Sequence, residues 1–274
     1  MEIVHVTPAA GTSLGGAGLG GGAKAKNSSR WAMAANNLAP REAAEPNYVY
    51  ELNPKFSLLL GGSKSIAEMD EMDDDTGLTA DEVVSKLRFA RYGVHGEGSC
   101  AFHSLCVVLN HMDYVHLPDA KQKEVAYAFR CSFGKKLTAE KLRQIGKKVK
   151  GGKSPQNLAE MQENLCNPKI WADETIIRWV AESLDMNLIF LDLDKKVMYC
   201  GVHHDDAVNN VEKMPPTAII LWVNHSHFEP LCVLHQVDKH TSKLQAMFDP
   251  STNERDAKIV RCLMKKYKMQ CKIH

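Results

Sequence analysis

The residue best placed to do chemistry is a cysteine at the end of a glycine-rich loop. Residues 93–105 read Gly-Val-His-Gly-Glu-Gly-Ser-Cys-Ala-Phe-His-Ser-Leu, so Cys100 sits where the loop passes into an apolar run. The run predicts a buried helix, and a helix N-terminus carries partial positive charge and unpaired amides. Both should lower the pKa of the thiol and favour a nucleophilic thiolate. The glycines let backbone amides converge near the sulfur, where amides can stabilise an oxyanion.

A thiol nucleophile needs a base, and a second segment offers one. Residues 219–231 read Ile-Ile-Leu-Trp-Val-Asn-His-Ser-His-Phe-Glu-Pro-Leu, the pattern of a strand, a tight polar turn and a second strand. His227 begins the second strand, which would hold its imidazole rigidly. Glu229 follows two residues later on the same strand face, so its carboxylate can orient the imidazole. His225 is the competing base, and Asn224 is the competing orienting residue.

Each candidate also has an ordinary structural explanation. A free cysteine is most often a buried core residue, which is our interpretation of Cys106 in the same apolar run. The alternatives for His227 and Glu229 are a polar turn histidine and a solvated carboxylate. The His-Ser-His segment and the run at 203–206, His-His-Asp-Asp, can be read as metal ligands. The first lacks an evident third ligand and the second is typical of a hairpin loop, so we expect no metal site.

The elements that must position these residues are helices first and strands afterwards. A capping box at Thr79–Glu82 predicts the start of regular structure. Helices are predicted at 100–109, 119–132 and 138–150, from Ser154-Pro155 onward, and at 173–185. Strands are predicted at 187–192, 197–200, 218–223 and 228–234. This order predicts an α+β domain over residues 79–236.

The regions on either side of that domain differ from it in composition. Residues 1–78 contain a Gly- and Ala-rich stretch, predicted to be a flexible arm, and then an acidic linker. Residues 237–274 are basic, and within them 257–270 predict an amphipathic tail helix. That helix can pack its apolar face on the domain, which we favour, or bind RNA or an anionic membrane. The oligomeric state is not specified by any pattern.

Composition narrows the class of protein. The 274 residues are 44% hydrophobic and 24% charged, with a net charge of +1, which is typical of a soluble globular protein. We find no apolar stretch of membrane-spanning length and expect no secretory signal. The eight cysteines include no CxxC pair, which favours a reducing, cytoplasmic location and argues against structural zinc.

The motifs resemble those of the ovarian tumour (OTU) family of cysteine proteases. Residues 97–103, Glu-Gly-Ser-Cys-Ala-Phe-His, are similar to the family's Asp-Gly-(Asn/Ser)-Cys-x-(Phe/Tyr)-(Arg/His) motif. Residues 227–229, His-Phe-Glu, are similar to its His-(Tyr/Phe/Trp)-(Asp/Asn) motif, and 171–174, Trp-Ala-Asp-Glu, to its middle motif. The three occur in family order across 79–236. The continuation Phe-His-Ser at 102–104 resembles viral members, which would act in a host cytoplasm.

The resemblance implies a small twisted sheet flanked by helices. It implies thiol hydrolysis of the isopeptide bond between a lysine and the C-terminus of ubiquitin or a ubiquitin-like protein, with no metal or organic cofactor. By position, Cys100 is the nucleophile, His227 the general base and then the acid, and Glu229 the residue that orients the imidazole. The oxyanion loop is formed or shaped by Glu97, Gly98, Ser99 and the Cys100 amide.

Two positions depart from the family pattern. Glu97 stands where the family has Asp, and Glu229 where it has Asp or Asn, so each side chain reaches about 1.3–1.5 Å further. At Glu97 the backbone amide can matter more than the carboxylate. At Glu229 the longer side chain must fold or the backbone must shift. The alternatives are a weak or inactive domain that binds ubiquitin or another partner, and a protease that processes a polyprotein.

Overall fold

The helices and strands follow the order that the sequence predicts. A computed structural model of the chain describes residues 4–5, 46–47, 49–52, 87–148, 157–192, 195, 197–200, 210–224, 226–236 and 242–270. The helices within these ranges are α1 (Cys100–Val108), α2 (Asp119–Lys136), α3 (Ala139–Lys148), α4 (Leu158–Cys166), α5 (Glu174–Ser183) and α6 (Glu254–Lys266). Short 3₁₀-helices span His111–His116 and Val211–Lys213. None of the described helices has the length and apolar character needed to cross a membrane.

The strands form one mixed sheet. They are β1 (Val4–His5), β2 (Val49–Glu51), β3 (Arg88–Tyr92), β4 (Asn187–Asp192), β5 (Val197–Cys200), β6 (Thr217–Val223), β7 (His227–Gln236), β8 (Ser242–Gln245), β9 (Met247–Phe248) and β10 (Lys268–Gln270). The order is β1-β8-β7-β6-β4-β5-β10, with β3 on β7, β2 on β3 and β9 on β6. Helices followed by mostly strands confirm the predicted α+β class.

Two apolar cores take alternate residues of the central strands. Leu188, Phe190 and Ile220 pack with residues of α1 to α5. The intervening Ile189 and Leu221 belong to a second core together with Ile259, Val260 and Leu263 of α6. Because successive strand residues point to opposite faces, a sheet buried on both faces has near-continuous apolar strands. The strand at 187–192, Asn-Leu-Ile-Phe-Leu-Asp, has this character.

Some boundaries differ from those predicted. α4 begins at Leu158, where the Asn157 side chain caps it by accepting the Glu160 amide at 2.8 Å, and the predicted start at Ser154-Pro155 lies outside the described residues. The tail helix ends at Lys266, and Lys268–Gln270 pair with β5 in parallel instead of continuing as helix. The strand Arg88–Tyr92 was not predicted from the sequence. The capping box at 79–82, the acidic linker at 67–82 and the run 203–206 lie outside the described residues.

Segments on both sides of 79–236 contribute to the sheet. β2 pairs with β3, and the Asn47 amide donates to the Gly93 carbonyl at 2.9 Å. On the other side, β8 pairs with β7, and α6 packs its apolar face on the second core, as favoured from the sequence. Two of the basic residues of α6 form ion pairs, Lys258 with Glu254 and Arg261 with Glu212. The described part of 1–78 therefore includes two strands of the sheet, β1 and β2.

Candidate active site

The cysteine lies where the sequence predicts, at the first position of a buried helix. Cys100 begins α1 and is 1% exposed. The carbonyl of Ser99, the N-cap residue, accepts the amides of Phe102 and His103 at 2.8 and 2.9 Å, which fixes the first turn. Every residue of α1 is buried, as expected for an apolar helix inside the domain.

The pKa of the Cys100 thiol is raised rather than lowered. Burial is the main cause, and hydrogen bonds from the backbone of Phe228, Ala101 and Cys100 itself act in the opposite direction. The expected lowering at a helix N-terminus is therefore wrong for this site, because the loss of water around the sulfur outweighs the amides. At neutral pH the resting group is a thiol that must lose its proton during attack.

The strand residue Phe228 joins α1 to the predicted base and acid. Its backbone lies close enough to the Cys100 sulfur to oppose the rise in the thiol's pKa, and its carbonyl accepts the Ser104 hydroxyl at 3.0 Å. Cys100 and Ser104 are one helical turn apart and so share a face of α1. The pairing of β3 with β7 reaches Leu231 and goes no further toward Phe228, where α1 contacts the strand through Ser104. The thiol is thus held against the residue between His227 and Glu229.

His227 and Glu229 come together on the same strand. The distance between His227 Nε2 and Glu229 Oε1 is 3.5 Å, and both residues are buried. Their positions are set by the hairpin, in which His227 lies opposite Val223 and Glu229 opposite Leu221. Nε2 therefore faces the carboxylate, and the ring also hydrogen-bonds with the Val94 backbone.

A buried arginine lies on the other side of the carboxylate. Arg91 Nη1 is 3.3 Å from Glu229 Oε2, so the longer glutamate side chain reaches both the imidazole and the guanidinium. Burial and the Arg91 charge lower the pKa of His227 to about 4, against a hydrogen bond with the Val94 backbone that raises it. Arg91 offsets the charge of Glu229, so the imidazole is neutral at neutral pH and able to accept a proton.

The loop before the cysteine has a left-handed backbone at two successive residues. Glu97 has φ 64° and Gly98 has φ 74°. A Cβ on Gly98 would lie 2.5 Å from the Pro168 carbonyl oxygen, so only glycine fits there. The Glu97 side chain is 67% exposed and pairs with Lys123 at 2.8 Å, which lowers the pKa of Glu97. The Glu97 side chain therefore extends into solvent, and only its backbone contributes to the loop that leads into α1.

Asn224, the competing orienting residue, is not brought together with the base. Asn224 is exposed in the turn between β6 and β7 with φ 55°, whereas Glu229 is the residue within 3.5 Å of the imidazole. His225 lies outside the described residues. Cys106 is fully buried and burial raises the pKa of its thiol, as expected for a core cysteine. The described ranges contain no group of three side chains arranged to hold a metal ion.

Several buried polar residues around the site were missed by the sequence analysis. His103 and His95 have their rings in edge contact with centroids 5.3 Å apart, and His103 Nδ1 hydrogen-bonds to the Tyr114 hydroxyl. Burial lowers the pKa of His103 to about 3, so this histidine stays neutral. Among the residues that the structure describes, Arg91 and Arg130 are the two fully buried cations. The sequence feature that could have indicated Arg91 is a charged residue among apolar ones in Phe-Ala-Arg-Tyr, residues 89–92. This feature does not identify the residue that Arg91 pairs with.

Comparisons with known proteins give weak structural likenesses. No protein-family model matches the sequence, and no curated protein matches it. An OTU domain solved in complex with ubiquitin aligns at 13% identity and TM-score 0.38, covering 67% of this chain and 92% of that one. The OTU domain of OTUD1 aligns at 12% and 0.36, covering 52% and 85%. The Hazara virus OTU bound to ubiquitin aligns at 12% and 0.34, covering 65% and 99%. At these scores the function has to be argued from the site itself.

Proposed function

We propose that this protein is an OTU-type cysteine hydrolase that cleaves the isopeptide bond between a lysine and the C-terminus of ubiquitin or a ubiquitin-like protein. One observation carries the proposal: a helix-N-terminal thiol rests on the backbone of Phe228, whose two neighbours, His227 and Glu229, lie 3.5 Å apart. A nucleophile, a base and an orienting acid are the three parts of a thiol hydrolase. The substrate class comes from the resemblance of the motifs to the OTU family.

The resting charges define how the reaction begins. The sulfur of Cys100 attacks the carbonyl carbon while its proton passes to neutral His227, and the carbonyl electron pair moves to oxygen. Backbone amides of the loop and of the first turn of α1 stabilise that oxyanion. Collapse expels the lysine amine, which takes the proton from His227, and leaves a thioester on Cys100. Water activated by His227 then hydrolyses the thioester and restores the thiol.

A ubiquitin probe with a C-terminal electrophile tests the proposal directly. The wild-type chain should form a covalent adduct, and peptide mass mapping should place it on Cys100. Cys100→Ala should form none. Cys262→Ala is the matched control, because Cys262 is a buried cysteine of the second core and its loss should leave the rate unchanged. A folded wild-type chain that forms no adduct contradicts the proposal.

One observation favours a second candidate, a weak or inactive OTU-like domain that binds ubiquitin. Burial raises the pKa of the Cys100 thiol, and Arg91 shares the carboxylate that should orient His227. Saturable ubiquitin binding by the wild-type chain, together with no reaction of the probe, would support this candidate. A cytoplasmic location and an anionic partner for the basic tail remain predictions from the sequence.

A further inference from the structure

A buried arginine connects the loop before the nucleophile to a distant turn. Arg130 of α2 is 0% exposed. An arginine has five N–H donors, and all five of Arg130 have oxygen acceptors. Its Nε donates to the Leu165 carbonyl at 2.5 Å, Nη1 to the Gly98 carbonyl at 3.1 Å and the Ser99 hydroxyl at 3.3 Å, and Nη2 to the Asn164 and Ile170 carbonyls at 2.8 and 2.5 Å.

The acceptors show that the arginine positions backbone rather than balancing a charge. Among the described residues, all five acceptor atoms of Arg130 are carbonyl or hydroxyl oxygens, and none is a carboxylate. The guanidinium also lies over the Phe102 ring, 5.0 Å from its centroid. A planar fork of donors with fixed directions suits this task, whereas a lysine ammonium is a point charge on a flexible stem.

We propose that Arg130 is the positioning residue of the oxyanion loop, a role that rests on the proposed function. The Gly98–Ser99 peptide is planar and trans, so its carbonyl and its N–H point in opposite directions. Arg130 binds the carbonyl, which turns the Ser99 N–H away from the guanidinium. The Pro168 carbonyl, 2.5 Å from where a Gly98 Cβ would be, seats the α-carbon of the same residue. The loop is not held by the backbone hydrogen bonds of a strand pair. The contacts with Arg130 and Pro168 hold it in place instead.

The role predicts a difference between two reactions of the same sulfur. Acylation by p-nitrophenyl acetate adds the sulfur to a carbonyl, places a negative charge on oxygen and then expels p-nitrophenolate, so it needs the oxyanion loop. Alkylation by iodoacetamide displaces iodide from carbon and forms no oxyanion. Neither reagent contains ubiquitin. The comparison therefore remains decisive if the wild-type chain proves inactive on ubiquitin, which would contradict only the proposed function.

The test measures both reactions at Cys100 by peptide mass spectrometry. Arg130→Met and Arg130→Lys should each slow acylation by about 100-fold, as the loss of an aligned oxyanion donor does, and leave alkylation within about threefold. Arg143→Met is the control for loss of an arginine, because Arg143 is exposed on α3, and it should change neither rate.

Three results would overturn the role of Arg130. Acylation and alkylation falling together would indicate a general structural role, and neither falling would indicate no role. If Arg130→Lys keeps the wild-type ratio of the acylation rate to the alkylation rate, the positive charge alone matters. Gly98→Ala is the second variant should Arg130 variants not fold, because it moves the same peptide without removing the cation. It should lower the acylation rate selectively, and Gly96→Ala, with nothing within 4 Å of its Cβ, should not; an equal effect of both contradicts the proposal.

Discussion

The candidate site has two halves. The strand half comprises His227 and Glu229 with Arg91, and the loop half comprises Gly98 and Ser99 with Arg130. Each half contains a buried arginine, but the two arginines have different roles. In the strand half, Arg91 lies 3.3 Å from the carboxylate of Glu229. In the loop half, Arg130 donates to neutral oxygens of Gly98 and Ser99. Strand hydrogen bonds already fix the geometry of β3 and β7, so the role of Arg91 of β3 is to balance a charge. The loop lacks such bonds, so its arginine supplies the geometry.

The largest expected effect comes from removing the cation of the strand half. Arg91→Met leaves the buried Glu229 carboxylate beside a neutral histidine, and breaking a buried pair in this way typically lowers the free energy of unfolding by about 3–5 kcal/mol. Arg91→Met/Glu229→Gln removes both charges and should recover more than about half of that loss. Urea unfolding measures both. Equal stabilities of the single and double variants would show that charge balance is not the role of Arg91.

The pH dependence is the next test of the strand half. His227 must be neutral to accept the thiol proton, and its pKa is lowered to about 4, so reactivity is lost only as the pH falls through about 4. Acylation of Cys100 at pH 5 should retain about 90% of its plateau rate, where a histidine with the ordinary pKa of about 6.5 would retain about 3%. Glu229→Gln leaves Arg91 unopposed and should not move this limb upward. An acid limb between pH 6 and 7 in the wild type contradicts the lowered pKa.

A smaller effect is expected where the two halves join. The Asn47 side chain accepts hydrogen bonds from the Tyr92 hydroxyl at 3.1 Å and from Gln122 at 2.5 Å. Its backbone amide donates to Gly93, the first residue of the loop. Asn47→Ala should lower the free energy of unfolding by about 1–3 kcal/mol, since the buried Gln122 loses an acceptor. Asn224→Ala is the matched control, because Asn224 has a similar left-handed backbone but is exposed. Denaturant titration giving equal losses would assign the effect to the backbone alone.

The smallest effect is expected at Glu97, whose side chain points away from the site. Glu97→Gln removes an exposed ion pair with Lys123 and should change the free energy of unfolding by less than about 1 kcal/mol and acylation by less than about threefold. Glu124→Gln is the control, since Glu124 is 65% exposed and pairs with Lys121 in the same manner. A tenfold loss of acylation in Glu97→Gln alone would place that carboxylate in the loop half.

Much of the strand half and of α1 could be predicted, because the signals are local. The apolar run after Cys100 predicted a buried helix, and the spacing of His227 and Glu229 predicted one strand face. What failed depends on tertiary packing. The raised pKa of Cys100 comes from burial by other segments. Arg130 finds acceptors at the end of α4 and in the turn after it, residues 164–170, which no local pattern connects to it.

The departure at Glu229 shows how a mismatch in the motif can be resolved by structure. The sequence left open whether the longer side chain must fold or the backbone must shift. The strand register is regular at Glu229, opposite Leu221, and the carboxylate reaches both His227 and Arg91. An aspartate there would be about 1.3–1.5 Å shorter, so the extra methylene and the buried arginine are best understood as a matched pair.

The pairing of β3 with β7 sets the order in which the site can assemble. Arg88 lies opposite Leu234, so closing this ladder requires nearly the whole helical block to be looped out. Pairing two strands that are so far apart in the sequence is slow, because a long loop must close before the pairing stabilises it. Helices such as α1 and α2 form from nearby residues. During folding the thiol is therefore expected to be present on a formed helix before the strand that carries its base has docked. Oxidation of Cys100 should accordingly be fastest in refolding chains and slowest in native ones, where the sulfur is buried.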